Sequence, residues 1–286
     1  MLIPRLLHQC DQKSHIVDAD IDANEQVAII EGHSDAMVLA VNDAHWNRWD
    51  PVELPHIRHA RWIAKDRVAL YSFPPAKDPS FNAVRSFSPT TSEILPIGQP
   101  TGLLAGRGAI FVWYGEDQNL VASPDEIQSE ILVAFSSNGQ PICGLRSCLE
   151  KVSYSGIAIE VSAACIKTSG EIMFLMYSSD DLWRMDPRNC SITTKRISKD
   201  IPRFSAISEI GERVAFAKLT RQNLEIFLFD INSASLSHIE SIDLNVLCQS
   251  RYYGQSASRI VEVRGNYDGK FIVVTNDSVW VIAVKP

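Results

Sequence analysis

The feature that most constrains this chain is a recurrence at a fixed spacing. Six places share one local grammar, a turn signal followed by an apolar run. They are Asn24 before EQVAII, Lys65 before DRVALY, Gly106 before RGAIFVW, Gly170 before EIMFLMY, Gly211 before ERVAFA and Gly269 before KFIVV. Gly and Asn suit hairpin turns because they tolerate positive φ. The runs are rich in Val, Ile, Phe and Tyr and too short for helices, so they read as strands. Three of the intervals are 41 residues (24 to 65, 65 to 106, 170 to 211), and the path from 269 past the chain's end to 24 is 41 again. The other two, 64 and 58, are longer but hold no complete extra unit. A period of 40–45 residues with four strands per unit is that of a β-propeller blade.

The expectation is therefore an all-β, six-bladed β-propeller with four-stranded antiparallel blades, forming a single domain over residues 1–286. Around Gly170 the strands read as IAIEV…ACIK, EIMFLMY, DLWRMD and SITTKRI, and around Gly211 as RFSAI, RVAFAK, LEIFLFD and SLSHIE. The second strands are apolar on successive residues, as in Ile110-Phe111-Val112-Trp113, which fits a sheet covered on both faces. The last unit stops after its third strand, SVWVIAV. Residues 2–8, LIPRLLH, look like the segments ILPIGQP and PVELPHI that read as fourth strands elsewhere. They are expected to supply the missing fourth strand of blade six and to remove the open edge. Burial of two or three of Leu2, Ile3, Leu6 and Leu7 would contribute about 1.5–3 kcal/mol each.

The third strands LWRMDP and FLFDIN place Asp186 and Asp230 equivalently, and so resemble the third strand of WD40-like and TolB-like propeller repeats. The resemblance implies the propeller fold and no reaction. A full WD40 signature is absent, since Trp49-Asp50 occurs once and in a loop-like context.

In a propeller, the loops joining second to third strands lie on the same face as the links between blades. The extra residues fall there: the loop 115–128, the link around 147–155 and the link 243–258. Long loops on a rigid scaffold tend to carry binding. The six second-to-third loops hold Glu31, Asp35, Asp78, Glu116, Asp117, Asp125, Glu126, Asp180, Asp181 and Asp277 against Lys77, Lys218 and Arg221. That balance of −7 equals the formal net charge of the whole chain. The reading is an acidic face that steers a basic protein partner. Its candidate partner-binding residues are Glu116, Asp117, Asp125, Glu126, Asp180 and Asp181, with Arg251, Tyr252 and Tyr253 as hot-spot types on the same face.

No motif identifies a reaction, so no catalytic residue, metal or cofactor is assigned. Asp18, Asp20 and Asp22 alternate along a strand and could put three carboxylates on one side. They lack the Gly and Glu of an EF-hand, whose positions hold Ala23 and Ile29. His56 and His59 form H-x-x-H near His45 without a Cys or acid to complete a zinc signature, and Cys143 and Cys148 lack a second pair. The serines of GHSDA and GQSAS sit in no nucleophile elbow. Gly102, Gly106 and Gly108 open a strand rather than a phosphate-binding helix. The N-terminus lacks the apolar core and cleavage site of a secretory signal, and no apolar stretch approaches the roughly 20 residues of a membrane span. A cytoplasmic chain starting at Met1, with its six cysteines reduced, is the expectation. An acidic chain without a basic run argues against a nucleic-acid partner.

Solitary cytosolic propellers without catalytic motifs are similar to some bacterial immunity proteins that neutralise a cognate toxin, often a basic nuclease. What that resemblance implies is a non-catalytic inhibitor that binds a basic toxin domain. The competing expectations are a metal-dependent propeller hydrolase or lactonase, with carboxylates drawn from several blades near the channel mouth, and a general assembly scaffold.

Overall fold

The computed structural model describes residues 2–11, 13–33, 36–42, 44–49, 57–72, 83–106, 108–114, 132–145, 148, 161–177, 179–197, 204–248, 259–266 and 268–285. They form 24 strands in six four-stranded antiparallel sheets. The first strand, β1 (Arg5–Gln9), belongs to the last blade. Blade one is β2 (His15–Ile21), β3 (Val27–Gly32), β4 (Met37–Val41) and β5 (Ala44–Trp49). Blade two is β6 (His59–Ala64), β7 (Arg67–Tyr71), β8 (Arg85–Phe87) and β9 (Ser92–Ile94). Blade three is β10 (Gly102–Gly106), β11 (Ala109–Trp113), β12 (Leu132–Ser136) and β13 (Pro141–Gly144). Blade four is β14 (Val161–Ile166), β15 (Ile172–Met176), β16 (Asp181–Asp186) and β17 (Ser191–Arg196). Blade five is β18 (Ala206–Ile210), β19 (Arg213–Leu219), β20 (Asn223–Asp230) and β21 (Ser235–Asp243), followed by one helical turn, α1 (Leu244–Leu247). Blade six is β22 (Ile260–Gly265), β23 (Lys270–Thr275) and β24 (Ser278–Ala283), completed by β1.

Burial follows the order of strands. Every residue of β3 and β15 is buried, because each second strand has a neighbouring blade on both faces. Outer strands are polar and largely exposed, as in SITTKR of β17 and SLSHIESID of β21. The core is correspondingly a ring of six apolar clusters, one at each junction between blades. Phe111 and Leu132 meet Phe174 and Trp183 between blades three and four, and Ile16 and Ile29 meet Ile272 and Val281 between blades one and six. The turn glycines behave as expected at Gly170 and Gly211, with φ of 88° and 55°. In blade one the left-handed residue is Glu25 rather than Asn24, and in blade three the turn is made by Gly108, while Gly106 ends β10.

The ring closes through its N-terminus. β1 pairs antiparallel with β24, Arg5 opposite Val281 and Gln9 opposite Ser278, with a register shift between Leu6 and His8. The closing strand starts later than the expected segment. Ile3 is 75% exposed, while Leu2 and Leu7 pack against the fifth–sixth and sixth–first clusters. The segments read as fourth strands in blades one and two are corrected as well. The fourth strand of blade two is β9, so ILPIGQP is mostly the link that follows it. In blade one it is β5, which takes in Trp49, and residues 50–56 lie outside the described residues. The cysteines also depart from expectation. Cys143 and Cys190 form a disulfide across the junction of blades three and four, brought together by neighbouring blades rather than by sequence proximity. No helix among the described residues is long and apolar enough to cross a membrane.

Candidate functional site

Each blade runs its first strand in the same sense around the axis, so one end of the ring gathers the second-to-third loops and the links between blades. The chain leaves the described residues there after Tyr114 and returns at Leu132, and does so again around 149–160 and 249–258. Five large apolar side chains are exposed at the same end: Ile94 at the end of β9, Tyr177 after β15, Leu219 at the end of β19, Val246 in α1 and Val261 at the start of β22. Of the expected partner-binding residues, Glu116, Asp117, Asp125, Glu126, Arg251, Tyr252 and Tyr253 lie outside the described residues.

Asp180 and Asp181 are described, and they are not loose anionic charge. Arg196, at the end of β17, places one guanidinium nitrogen 2.7 Å from Asp180 Oδ2 and the other 3.8 Å from Asp181 Oδ1. Ser179 Oγ also donates to Asp181 Oδ2 at 3.0 Å. Glu31 is buried between His8 and His33, 3.1 and 3.4 Å away, and the hydrogen bond from His8 holds its carboxyl below the usual range. Thr275 Oγ1 donates to Asp277 at 2.6 Å. Among the described residues the expected acidic face thus finds no support. Cations such as Arg196 reach the face from fourth strands and offset the charge of its loops.

The channel is the second candidate site. Its wall is built from the first strands β2, β6, β10, β14, β18 and β22, and polar side chains of β2 and β6 reach one blade forward. The Asp18 carboxylate accepts from the Ala60 amide at 2.9 Å, Asp20 accepts from the Trp62 amide at 2.9 Å, and Arg61 Nε donates to the Leu103 carbonyl at 3.2 Å. Each of these links spans 42 residues, close to the period read in the sequence. Asp22 instead caps the first turn, accepting from the amides of Asn24 and Gln26 at 2.8 Å each. The three alternating aspartates therefore do not form one ligand set.

Charges from three blades converge at mid-channel. Asp18 is 1% exposed and receives Arg61 Nη1 at 2.6 Å. Arg61 Nη2 lies 3.2 Å from Glu262, and Arg264 lies 3.4 Å from Glu262 and 3.5 Å from Asp18. Arg264 also donates to the Ala19 carbonyl, 245 residues away, so the network joins first blade to last. His59 Nδ1 is 3.5 Å from Asp18 Oδ2, and its ring stacks on Tyr71 at 4.8 Å.

The protonation of these groups follows from their surroundings. Burial opposes ionisation of Asp18, yet Arg61 and His59 hold its carboxyl below the usual range. For Asp20, burial outweighs Arg61 and pushes the carboxyl up to about 7. Burial, with help from Asp18, pushes Glu262 up to about 8. The two arginines form the floor between two cavities. One of about 310 Å³ opens among the first turns, lined by Asp20, Asp22, Lys65 and Asn266. The other, about 170 Å³, lies toward the link end under His59, Thr101, Ser162 and Ser205.

Asp18, His59 and Glu262 bring one donor atom each to within 4.8 Å of one another, and this is the carboxylate-bearing metal arrangement among the described residues. The chemistry of the set fits a divalent cation poorly, because two guanidiniums crowd it and neutralise Asp18, while Glu262 is pushed up to about 8 and keeps its proton. The sequence carried part of this signal: His59 and Arg61 in HARWIA, and Glu262 and Arg264 in IVEVRG, alternate with apolar residues along first strands.

Ring, blades and plugged channel define a six-bladed β-propeller. No protein-family model and no curated protein matches the chain. Among solved structures it is similar to a catalytically inactive virginiamycin B lyase from Staphylococcus aureus in complex with quinupristin. That match has 10% identity and a TM-score of 0.57, over 99% of this chain and 100% of that one. It is also similar to a streptogramin B lyase (8%, TM-score 0.53, 99% and 97% covered) and to YCF48 from Cyanidioschyzon merolae (8%, TM-score 0.50, 98% of each chain). At such identities the likeness concerns the fold alone.

Proposed function

We propose that this chain is a non-catalytic propeller that binds a protein partner through its link end. The observation that carries this reading is the set of five exposed apolar side chains at that one end, between the points where the chain leaves and re-enters the described residues. Exposed apolar residues grouped on one end of a rigid scaffold make the desolvated centre of an interface. In its narrower form the partner is basic, and the chain is an inhibitor that neutralises a toxin domain such as a nuclease. The charge for that must come from Glu116, Asp117, Asp125 and Glu126, because Asp180 and Asp181 are already paired with Arg196.

The experiment is a pull-down from the native host at low and high salt, followed by association kinetics with whatever co-elutes. Reversal of Asp117 and Asp125 to Lys is expected to slow association about tenfold or more at low salt, while reversal of Asp180 alone changes it little. An unchanged rate for the first pair removes the basic partner. Tyr177→Ala that leaves dissociation unaffected would remove the link end itself.

A second reading, a channel metallohydrolase, is favoured by one observation, the convergence of Asp18, His59 and Glu262 from three blades. It requires a thermal shift with calcium or zinc that is lost in His59→Ala.

A further inference from the structure

A triangle of sulfurs lies between blades three and four. Cys143 sits on β13, Cys148 follows in the link that leaves blade three, and Cys190 closes the turn between β16 and β17 of blade four. Cys143 and Cys190 are disulfide-bonded with Cα atoms 5.6 Å apart. The Cys148 sulfur is 3.3 Å from that of Cys143 and 3.4 Å from that of Cys190. A thiolate that attacks a disulfide approaches along the line of the S–S bond. Near-equal distances put Cys148 beside that bond rather than on its extension. The three sulfurs instead lie within 4.8 Å of one another, close enough to share one ion.

The backbone and the surroundings agree with this. Cys190 holds φ of 52°, in the left-handed region. The corresponding turns of blades one, three and five use Asn42, Gly139 and Ala234 in that region, so the turn needs such a residue and here supplies a thiol. Cys143 and Cys148 are buried in an apolar cluster with Leu145, Ile172, Trp183 and Met185. Among the described residues no carboxylate or imidazole joins the sulfurs. Three thiolates could share this setting only around a cation.

We propose that in the reduced protein Cys143, Cys148 and Cys190 bind one thiophilic divalent ion, Zn²⁺, as a three-thiolate site with its fourth position taken by water. The disulfide is the metal-free, oxidised form of the same site. Conversion takes two electrons and two protons from a dithiol reductant, which itself becomes a disulfide. Binding then forms three Zn–S bonds and releases three protons from the thiols. Oxidation by a low-molecular-weight disulfide reverses both steps and expels the ion.

The test is a titration of the full chain, reduced with a dithiol and desalted without oxygen, with Co²⁺ and then Zn²⁺. One equivalent of Co²⁺ is expected to give thiolate-to-cobalt charge-transfer absorption, which one equivalent of Zn²⁺ abolishes. Oxidised protein should give none. Cys148→Ala keeps both disulfide partners and therefore the oxidised fold, and it is expected to lose the absorption in the reduced state. Circular dichroism recorded alongside separates binding at a formed site from capture by an unfolded chain. No absorption in folded, reduced protein would overturn the proposal, as would absorption that survives in Cys148→Ala or that appears only on unfolding.

Discussion

Removing the closing strand is the sharpest test of the architecture. Deletion of residues 2–9 takes away Leu2, Leu6 and Leu7, each partly buried, and leaves the edge of β24 unpaired. Half-burial of a leucine is worth about 1 kcal/mol, so the three together contribute about 3 kcal/mol. His8 goes with them, leaving Glu31 buried beside His33 alone, which adds about 1 kcal/mol. About 4 kcal/mol is a large share of the 5–15 kcal/mol typical of a folded domain. For a chain near this size it corresponds to a fall in Tm of about 8–16 °C. The assay is thermal unfolding of the truncated chain, alone and with a synthetic peptide of residues 2–11. Strand addition should restore Tm as peptide concentration rises. If the truncated chain melts with the parent, or if saturating peptide leaves its Tm unmoved, β1 does not hold the ring shut.

Two further outcomes follow from the channel. In the folded chain Glu262 keeps its proton up to about pH 8, whereas the unfolded chain releases it near 4.5, so stability falls as pH rises across that window and is level above it. At about 1.4 kcal/mol per pKa unit this is at most about 5 kcal/mol, and a side chain still 28% exposed reduces it to about 2–3 kcal/mol. Glu262→Gln should therefore gain on the parent by that amount between pH 5 and pH 9 in denaturant melts, and parallel pH profiles would refute the assignment. Gly265 ends β22 against the backbone of blade five, where an added Cβ would collide with the Ile207 carbonyl. Gly265→Ala should cost about 3 kcal/mol or more, and a Tm within experimental error of the parent would show that β18 can yield.

What could be read in the sequence is what repeats. Val, Ile and Phe runs at a constant interval mark second strands because both their faces are buried, and the missing last strand follows from counting. The fourth strand of blade two does not show in the sequence because it is short and exposed. Ser92–Ile94 is three exposed residues with no periodic signal. The channel network was illegible for another reason. Asp18 takes its partners from positions 43 residues onward and, through Arg264, from the far end of the chain, and only the closed ring brings these together. The same holds for Cys190, which stands 47 residues from Cys143, and for Arg196, whose charge cancels a face it does not belong to by sequence.

Synthesis runs from the N-terminus, and the ring's seam joins β1 to β24, a strand made far later. At roughly 5–20 residues per second, β1 spends about 15–55 s outside the ribosome before β24 exists to receive it. Through that interval Arg5–Gln9 has no sheet to join, and the outward faces of Ile16 and Ile29 await Ile272 and Val281. An unfinished chain of this kind offers an unpaired strand at one end and an open blade face at the other, which is the geometry for joining a neighbour instead of itself. The interval before β24 is made, rather than the folded state, is when this chain is most exposed to exchange between copies.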